Sequence, residues 1–407
     1  METVYLDHNA TTPLRPEVRG ALLETLDLVT GNPSSVHAAG RAARALVDEA
    51  RERVAGALRI AEDEVVFTSG GTESDQLAIL GALEGAPARR SGFVTTVVEH
   101  SAVLGAAEVL ERRGSAVRRL PVDAEGLPDP AGVARAAREV HAGLVSVMAV
   151  NNELGSYADL PAIRAALEAA WSATPGPAGD PAGGSADGPA TPRSPARPLF
   201  HSDAVQALGK VAIDFAEWGV DLASFSLHKV GGPLGVGVLV VRRGARLGAP
   251  AGEAQELGLR AGTENVPGIV AGALALELAV TEQAEFASRA LRLGKELWDA
   301  VRSSFPGARL LGPPLESARR ATNTLNISLP GVDGRVLVTR LDLAGLQVSA
   351  GSACASGSLA PSHVLLALGL DDERARSGLR VSFGRTSTRE DVHTAVDILR
   401  RTLSSSR

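Results

Sequence analysis

Glu64–Leu83, EVVFTSGGTESDQLAILGAL, decides how this chain folds. Glu64–Thr68 opens as a β-branched, apolar run, Ser69-Gly70-Gly71-Thr72 turns, and the rest has the Ala/Leu/Ile density of a helix. A strand turning through glycines into a helix is half of a crossover unit. Its helix N-terminus gathers unpaired N–H groups that suit a phosphate, although Ser/Thr-Gly turns also serve as plain helix caps. Similar apolar runs recur at 92–98, 143–150, 222–225 and 235–241, with helical stretches at 73–83, 101–113 and 160–171 between the earlier ones. That alternation predicts an α/β fold, a mostly parallel sheet covered by helices.

Upstream, a helical pattern at 16–29 leads through the turn-rich GNPSSVH (31–37) into an amphipathic helix at 41–58. Downstream of Val266, one long helix (267–303) and strands near 323–329 and 379–383 suggest a smaller α+β domain. The expected division is a large domain of 15–264 and a small domain of 1–14 with 265–407. Between them in character is 172–198, SATPGPAGDPAGGSADGPATPRSPARP, rich in Pro, Gly and Ala and without large apolar residues. Such composition cannot bury enough surface to offset its ordering entropy, so it reads as a disordered surface insertion before a strand at 199–202; a linker between independent domains is the rival reading.

With 407 residues, 41 Lys+Arg against 47 Asp+Glu, a formal charge of −6 and 44% hydrophobic residues, the balance is that of a globular protein. Mild acidity gives no electrostatic footprint for nucleic acid or membrane. No apolar run approaches the ~20 residues of a membrane span, and METVYLDHNATTP lacks the plan of a signal peptide, so the expected location is cytoplasmic. A single cysteine, Cys354, excludes an internal disulfide and a metal site built from several thiolates. No metal is expected.

In Asp221–Val241, DLASFSLHKVGGPLGVGVLVV, a strand ends in Ser226, His228 and Lys229 before a Gly-Gly-Pro turn. An amine at a strand end is well placed to form a Schiff base with an aldehyde cofactor. Asp203, in HSDAVQALGK (201–210), follows an apolar strand start, where a carboxylate is costly without a cationic or hydrogen-bonding partner. Amine, carboxylate and anion cradle together are what pyridoxal 5'-phosphate requires.

The motifs YLDHNATTP (5–13), GNPSSVH (31–37), FTSGGTESDQLAI (67–79), VEHSAV (98–103), AVNNELG (149–155), HSDAVQALGK (201–210), SFSLHK (224–229), LRAGTEN (259–265), VSAGSACASGSLAPSHVL (348–365) and LRVSFGRTST (379–388) resemble those of NifS/IscS-type cysteine desulfurases. These are pyridoxal-phosphate enzymes of the class V aminotransferase type, fold type I. The resemblance spans the chain except 172–198. It implies that Lys229 holds the cofactor and moves protons, Asp203 pairs with the pyridinium nitrogen, Gln206 bonds the ring hydroxyl, and His100 stacks on the ring as a candidate acid/base. Gly71, Thr72, Ser226 and His228 would bind the phosphate, with Thr263 contributed by the other subunit of a homodimer. Asn152 would face cofactor and substrate, and Arg380, assisted by Asn32, would grip the substrate carboxylate. Read without the resemblance, a satisfied polar residue at a strand end is the lesser alternative for His100, whereas Arg380 is equally a surface ion-pair partner.

Cys354 lies among small residues with little to pack, whereas an inert cysteine favours an apolar neighbourhood. The resemblance makes it the nucleophile that takes sulfur from L-cysteine, leaving alanine and a persulfide for a sulfur-acceptor protein, an iron–sulfur scaffold or a thiolation enzyme. Two positions depart from the family: Leu234 and Leu257 stand where a basic residue is common, near the expected dimer surface. The competing expectations are another class V aminotransferase or lyase in which Cys354 is idle, and a non-catalytic subunit that only binds a sulfur-transfer partner.

Overall fold

The computed structural model describes residues 3–87, 90–172, 197–248, 255–351 and 360–404. A two-residue strand β1 (Val4–Tyr5) precedes helices α1 (Pro16–Leu28) and α2 (Ala38–Leu58). Then come β2 (Val65–Thr68), α3 (Gly71–Glu84), β3 (Gly92–Thr96), α4 (Ser101–Arg112), β4 (Val117–Leu120), α5 (Pro130–Glu139), β5 (Ala142–Ser146) and α6 (Leu160–Ser172). The chain continues through β6 (Leu199–Asp203), α7 (Phe215–Trp218), β7 (Leu222–Ser226) and β8 (Gly237–Val241). These seven strands from β2 to β8 form one sheet in the order β2-β8-β7-β6-β5-β3-β4.

Side chains alternate across that sheet. Val66, Phe93, Leu144, Leu199, Leu222 and Leu239 pack with α3 and α4, while Phe67, Val94, Val145, Phe200, Phe225 and Val238 pack with the helices of the opposite face. Both faces are covered, which is why the strands read as continuous apolar runs. The pairings among β4, β3, β5, β6 and β7 are parallel, as expected, but β8 runs antiparallel to both β7 and β2. Only Leu227–Val236 joins β7 to β8, too short for a crossover helix, so the run at 235–241 returns antiparallel. The sequence reading passed over β4 and α5. β4 is a half-exposed edge strand, VRRL, whose two arginines hide its period; α5 carried a readable start in its capping Asp129 and following Pro130.

The single helix expected at 267–303 is two, α8 (Val266–Thr281) and α9 (Gln283–Ser304), bent by 67°. α8 is apolar nearly all round and lies in the core beneath the seven-stranded sheet, against α1 and α2. α9 is amphipathic and packs on a second core. That core belongs to the antiparallel sheet of β9 (Arg309–Leu311), β10 (Thr324–Ser328) and, beyond helix α10 (Gly334–Leu343), strand β11 (Leu346–Gln347) and helices α11 (His363–Ala367) and α12 (Asp372–Arg376), strand β12 (Gly378–Ser382). Val4 and Leu6 of the N-terminal segment join it, as does the last helix, α13 (Arg389–Ser404). By packing, the change of core therefore falls at Glu282 and not at 264/265. Among the described residues no single helix is long and apolar enough to cross a membrane. The insertion read at 172–198 lies, for 173–196, outside the described residues; Leu199 begins β6 as expected.

Candidate active site

At the carboxyl ends of β2, β3, β5, β6 and β7 lies a cavity of about 230 Å³. This is the rim where open α/β sheets present ligand-contacting groups.

Lys229 reaches the cavity because the chain after β7 tightens into a 3₁₀ turn, Leu227–Val230. Gly231 ends that turn at φ 84°, where a Cβ would meet Arg15 Cγ at 2.6 Å. The Lys229 Nζ donates to the carbonyl oxygens of Asn9 (2.8 Å) and Ala10 (2.7 Å). Ser226 and His228 flank it on the same wall. His228 is held down to about 4 by burial and by the charges of Lys229 and Lys210, so it is neutral, and its Nδ1 lies 2.9 Å from Thr11 Oγ1.

Next to Ser226 lies the N-terminus of α3. Gly71 packs so closely there that a Cβ would come within 2.7 Å of Val205 Cγ2. First-turn N–H groups of a helix have no intrahelical partner, so Gly71 and Thr72 border a ready-made anion site.

Asp203 is the last residue of β6, and its Oδ1 accepts from the Val205 N–H at 3.0 Å. Burial raises its pKa, while His100 and Lys229 pull it down. Asp75 sits behind it, pushed well above the usual carboxylate range by burial and by the charge of Asp203. One ligating atom each of Asp75, His100 and Asp203 lie within 4.8 Å of one another. Two buried carboxylates and an imidazole so spaced have the composition of a cation site. His100 caps α4, its Nδ1 accepting from the Ala102 N–H at 3.2 Å.

Gln206 borders the same space; its Nε2 donates to the Asn9 carbonyl (3.0 Å) and its Oε1 accepts from Lys210 Nζ. Asn152 and Arg380 close the far end. The Arg380 side chain is 1% exposed, not a surface ion-pair partner. Its Nη1 donates to the Asn152 carbonyl at 3.2 Å, its Nη2 to Asp7 at 2.7 Å, and its buried Nε has no partner.

Two expected residues are not brought to this cavity within one chain. Asn32 and Thr263 lie together elsewhere, Asn32 Nδ2 donating to Thr263 Oγ1 at 3.4 Å. Cys354 lies outside the described residues, but both flanks of its segment are tied beside the cavity. Ser349 exchanges backbone hydrogen bonds with Arg380 (3.1 and 2.7 Å), and Ser362 Oγ donates to Glu153 at 2.6 Å. Sequence reasoning missed Asn9, Asp75, Glu99, Met148 and Lys210. Asn9, Asp75, Glu99 and Lys210 stood inside quoted motifs, which was the available signal.

The aminotransferase class-V family model matches residues 4–173 and 194–394. Cysteine desulfurase IscS of Dictyoglomus turgidum is 38% identical over 405 residues, covering 99% of this chain and 95% of that protein. A cysteine desulfurase of Cereibacter sphaeroides is 40% identical over 402 residues, 98% and 95% of the two chains. Among solved structures, a NifS-like protein superposes with a TM-score of 0.86 at 32% identity, covering 99% of this chain and all of that one. SspA in complex with cysteine does so at 0.76 and 28%, covering 95% and 100%.

Proposed function

This chain belongs to the class-V aminotransferase family, and on that premise we propose that it is a pyridoxal 5'-phosphate-dependent cysteine desulfurase. One observation carries the reading: the Lys229 amine, the buried Asp203 carboxylate and the α3 N-terminus converge on a single cavity of about 230 Å³. The residues fit the cofactor. Asp203, buried with one backbone donor and with Asp75 behind it, needs a cation, and a pyridinium nitrogen is one. Gly71, Thr72, Ser226 and His228 are placed for its phosphate, Gln206 for its ring hydroxyl, His100 for its ring face. Bound there, pyridoxal phosphate would supply an aldehyde able to form a Schiff base with an amine, and an electron sink for the substrate α-carbon.

The chain's own groups do the rest. Lys229 Nζ holds the cofactor and, once displaced, moves the proton at the α-carbon. Arg380, whose buried Nε lacks a partner, receives the carboxylate of L-cysteine, and Asn152 orients the bound substrate. His100 is the acid/base on the ring side. The Cys354 thiolate attacks the substrate sulfur: the new S–S bond forms as the substrate C–S bond breaks, so thiol plus L-cysteine gives persulfide plus L-alanine. Having no second cysteine, the chain passes its persulfide to a separate acceptor protein, for iron–sulfur assembly or thiolation.

The functional unit is a cytoplasmic homodimer, in which Thr263 serves the partner's phosphate site. Asn32, bonded to Thr263 here, travels with it, so it assists the partner's Arg380 and not its own. Exposed Leu234 and Leu257 belong to that dimer surface. The small domain, rebuilt around Val4, Leu6 and the residues beyond Glu282, carries the Cys354 segment. The test is Cys354→Ala with labelled cysteine: loss of the protein-bound persulfide and of alanine formation, with the cofactor's visible absorbance intact, is expected. Undiminished alanine formation refutes the assignment in favour of a lyase with an idle thiol.

A further inference from the structure

Lys210 is a buried cation that the reaction described above does not use. It ends HSDAVQALGK, four residues after Gln206, and is 6% exposed. Its Nζ donates to Gln206 Oε1 and, at 3.4 Å, to Asn9 Oδ1. Burial holds its pKa well below the usual lysine range, helped by the charges of Lys229 and Arg380. Enclosing so costly a group beside two other cations calls for a purpose at the site.

The Gln206 amide can be oriented two ways in the same space. As found, Oε1 faces the N–H groups of Lys210 and Nε2 donates to the Asn9 carbonyl at 3.0 Å. With Lys210 protonated its nitrogen only donates, so a flip would set amide N–H against ammonium N–H on one side and oxygen against carbonyl oxygen on the other. Both contacts oppose it. Nε2 carries two hydrogens, and Asn9 takes one; the second is left for the cavity that Gln206 lines.

We propose that Lys210 is a positioning residue that locks the Gln206 amide with its N–H toward the cavity, making Gln206 an obligate donor to the ring oxygen of the cofactor. The inference rests on the pyridoxal-phosphate reading above and deepens it. A donor on the ring oxygen stabilises its anionic form, so the nitrogen that joins Lys229 to the cofactor loses its proton at lower pH. The titratable and charged groups around Lys210 are His8, His228, Lys229 and Arg380, with Arg15 and Glu282 across a neighbouring cavity of about 50 Å³.

The experiment is a pH titration of the visible absorbance of the full-length, cofactor-loaded protein and of Gln206→Met, Lys210→Met and their double variant. Lys210→Met raises the midpoint by about one pH unit, Gln206→Met does the same, and the double variant moves no further than either. An unmoved midpoint in Lys210→Met overturns the clamp, and so do shifts that add, because a charge acting through space keeps its effect without Gln206. Should Lys210→Met fail to fold, Lys210→Arg carries the test: it retains N–H groups for Oε1 and room in the neighbouring cavity, and its midpoint stays at the parental value. A midpoint raised in Lys210→Arg as in Gln206→Met overturns the proposal. No visible band in the unmodified protein would overturn the cofactor reading and the clamp together, whereas a normal band with an unmoved midpoint sinks the clamp alone.

Discussion

Replacing Glu99 by Gln makes the protein more stable at alkaline pH and leaves its stability at pH 5 almost unchanged. Glu99 is fully buried at the end of the segment joining β3 to α4, one residue before His100. Its Oε1 accepts from Thr96 Oγ1 (2.7 Å) and the Met148 N–H (3.1 Å), and its Oε2 has no partner. Burial pushes its pKa up from 4.5 to about 8 despite those two donors, with the charge of Asp203 adding to the rise. Between these values the folded chain keeps a proton that the unfolded chain releases. The contribution of Glu99 to stability is thus fully present below pH 4.5 and is lost as pH rises toward 8. At 1.36 kcal/mol per pKa unit the loss approaches about 5 kcal/mol in full, of which about 4 falls between pH 5 and pH 8.5. Gln offers its carbonyl to the same two donors and puts an uncharged amide where Oε2 stands, so it does not titrate. For a chain of this length about 4 kcal/mol is about 5 °C in thermal midpoint. His201, buried and pushed down to about 3, makes the chain more stable as pH rises through the usual histidine range. It is common to both proteins and cancels in the difference. The assay is a melting curve of parent and Glu99→Gln at half-unit steps from pH 5 to 8.5. A difference that stays flat with pH, or a variant that melts lower at pH 8.5, refutes the reasoning.

Arg380→Lys removes the planar fork and the unpartnered Nε; KM for L-cysteine rises about 10–100-fold with kcat much less affected, read from steady-state alanine formation, and an unchanged KM excludes the carboxylate role. Phe225→Ala empties a fully buried site packed edge-on against Phe215 (centroids 6.5 Å apart) and costs about 3–5 kcal/mol in denaturant unfolding. Shortening 173–196 to a ten-residue Gly/Ser linker alters loop closure by only about 0.8 kcal/mol, so turnover and melting temperature stay at parental values; a large loss of either would show that the segment has contacts of its own.

The main sheet was legible because both of its faces are buried: Val65–Phe67, Phe93–Val94 and Leu222–Ala223 put apolar residues at adjacent positions, a signal that survives without knowing which strand pairs with which. Direction was not legible for Gly237–Val241, because nothing within a strand tells parallel from antiparallel; the length of the link from Ser226 does. The break at Glu282 was hidden for a related reason. Helical periodicity runs through it from 266 to 304, and only the change from an all-apolar helix to an amphipathic one marks where the chain leaves the first core for the second.

Asn9 was the hardest residue to read, and it shows what joins the two cores to the chemistry. Its carbonyl accepts from Lys229 Nζ and Gln206 Nε2, its Nδ2 donates to Thr324 Oγ1 (2.8 Å) and the Asn152 carbonyl (3.1 Å), and its Oδ1 accepts from Asn323 Nδ2 (3.0 Å). Those partners are more than 140 residues away along the chain, so no local period or spacing announces them. Thr324 is on β10 of the second sheet, whereas Lys229 follows β7 of the first. A shift of the second core against the first must therefore move the carbonyl that holds the lysine amine. Because the Cys354 segment springs from Gly351, and Ser349 is paired to Arg380 on β12, the same shift carries the thiol's anchor with it.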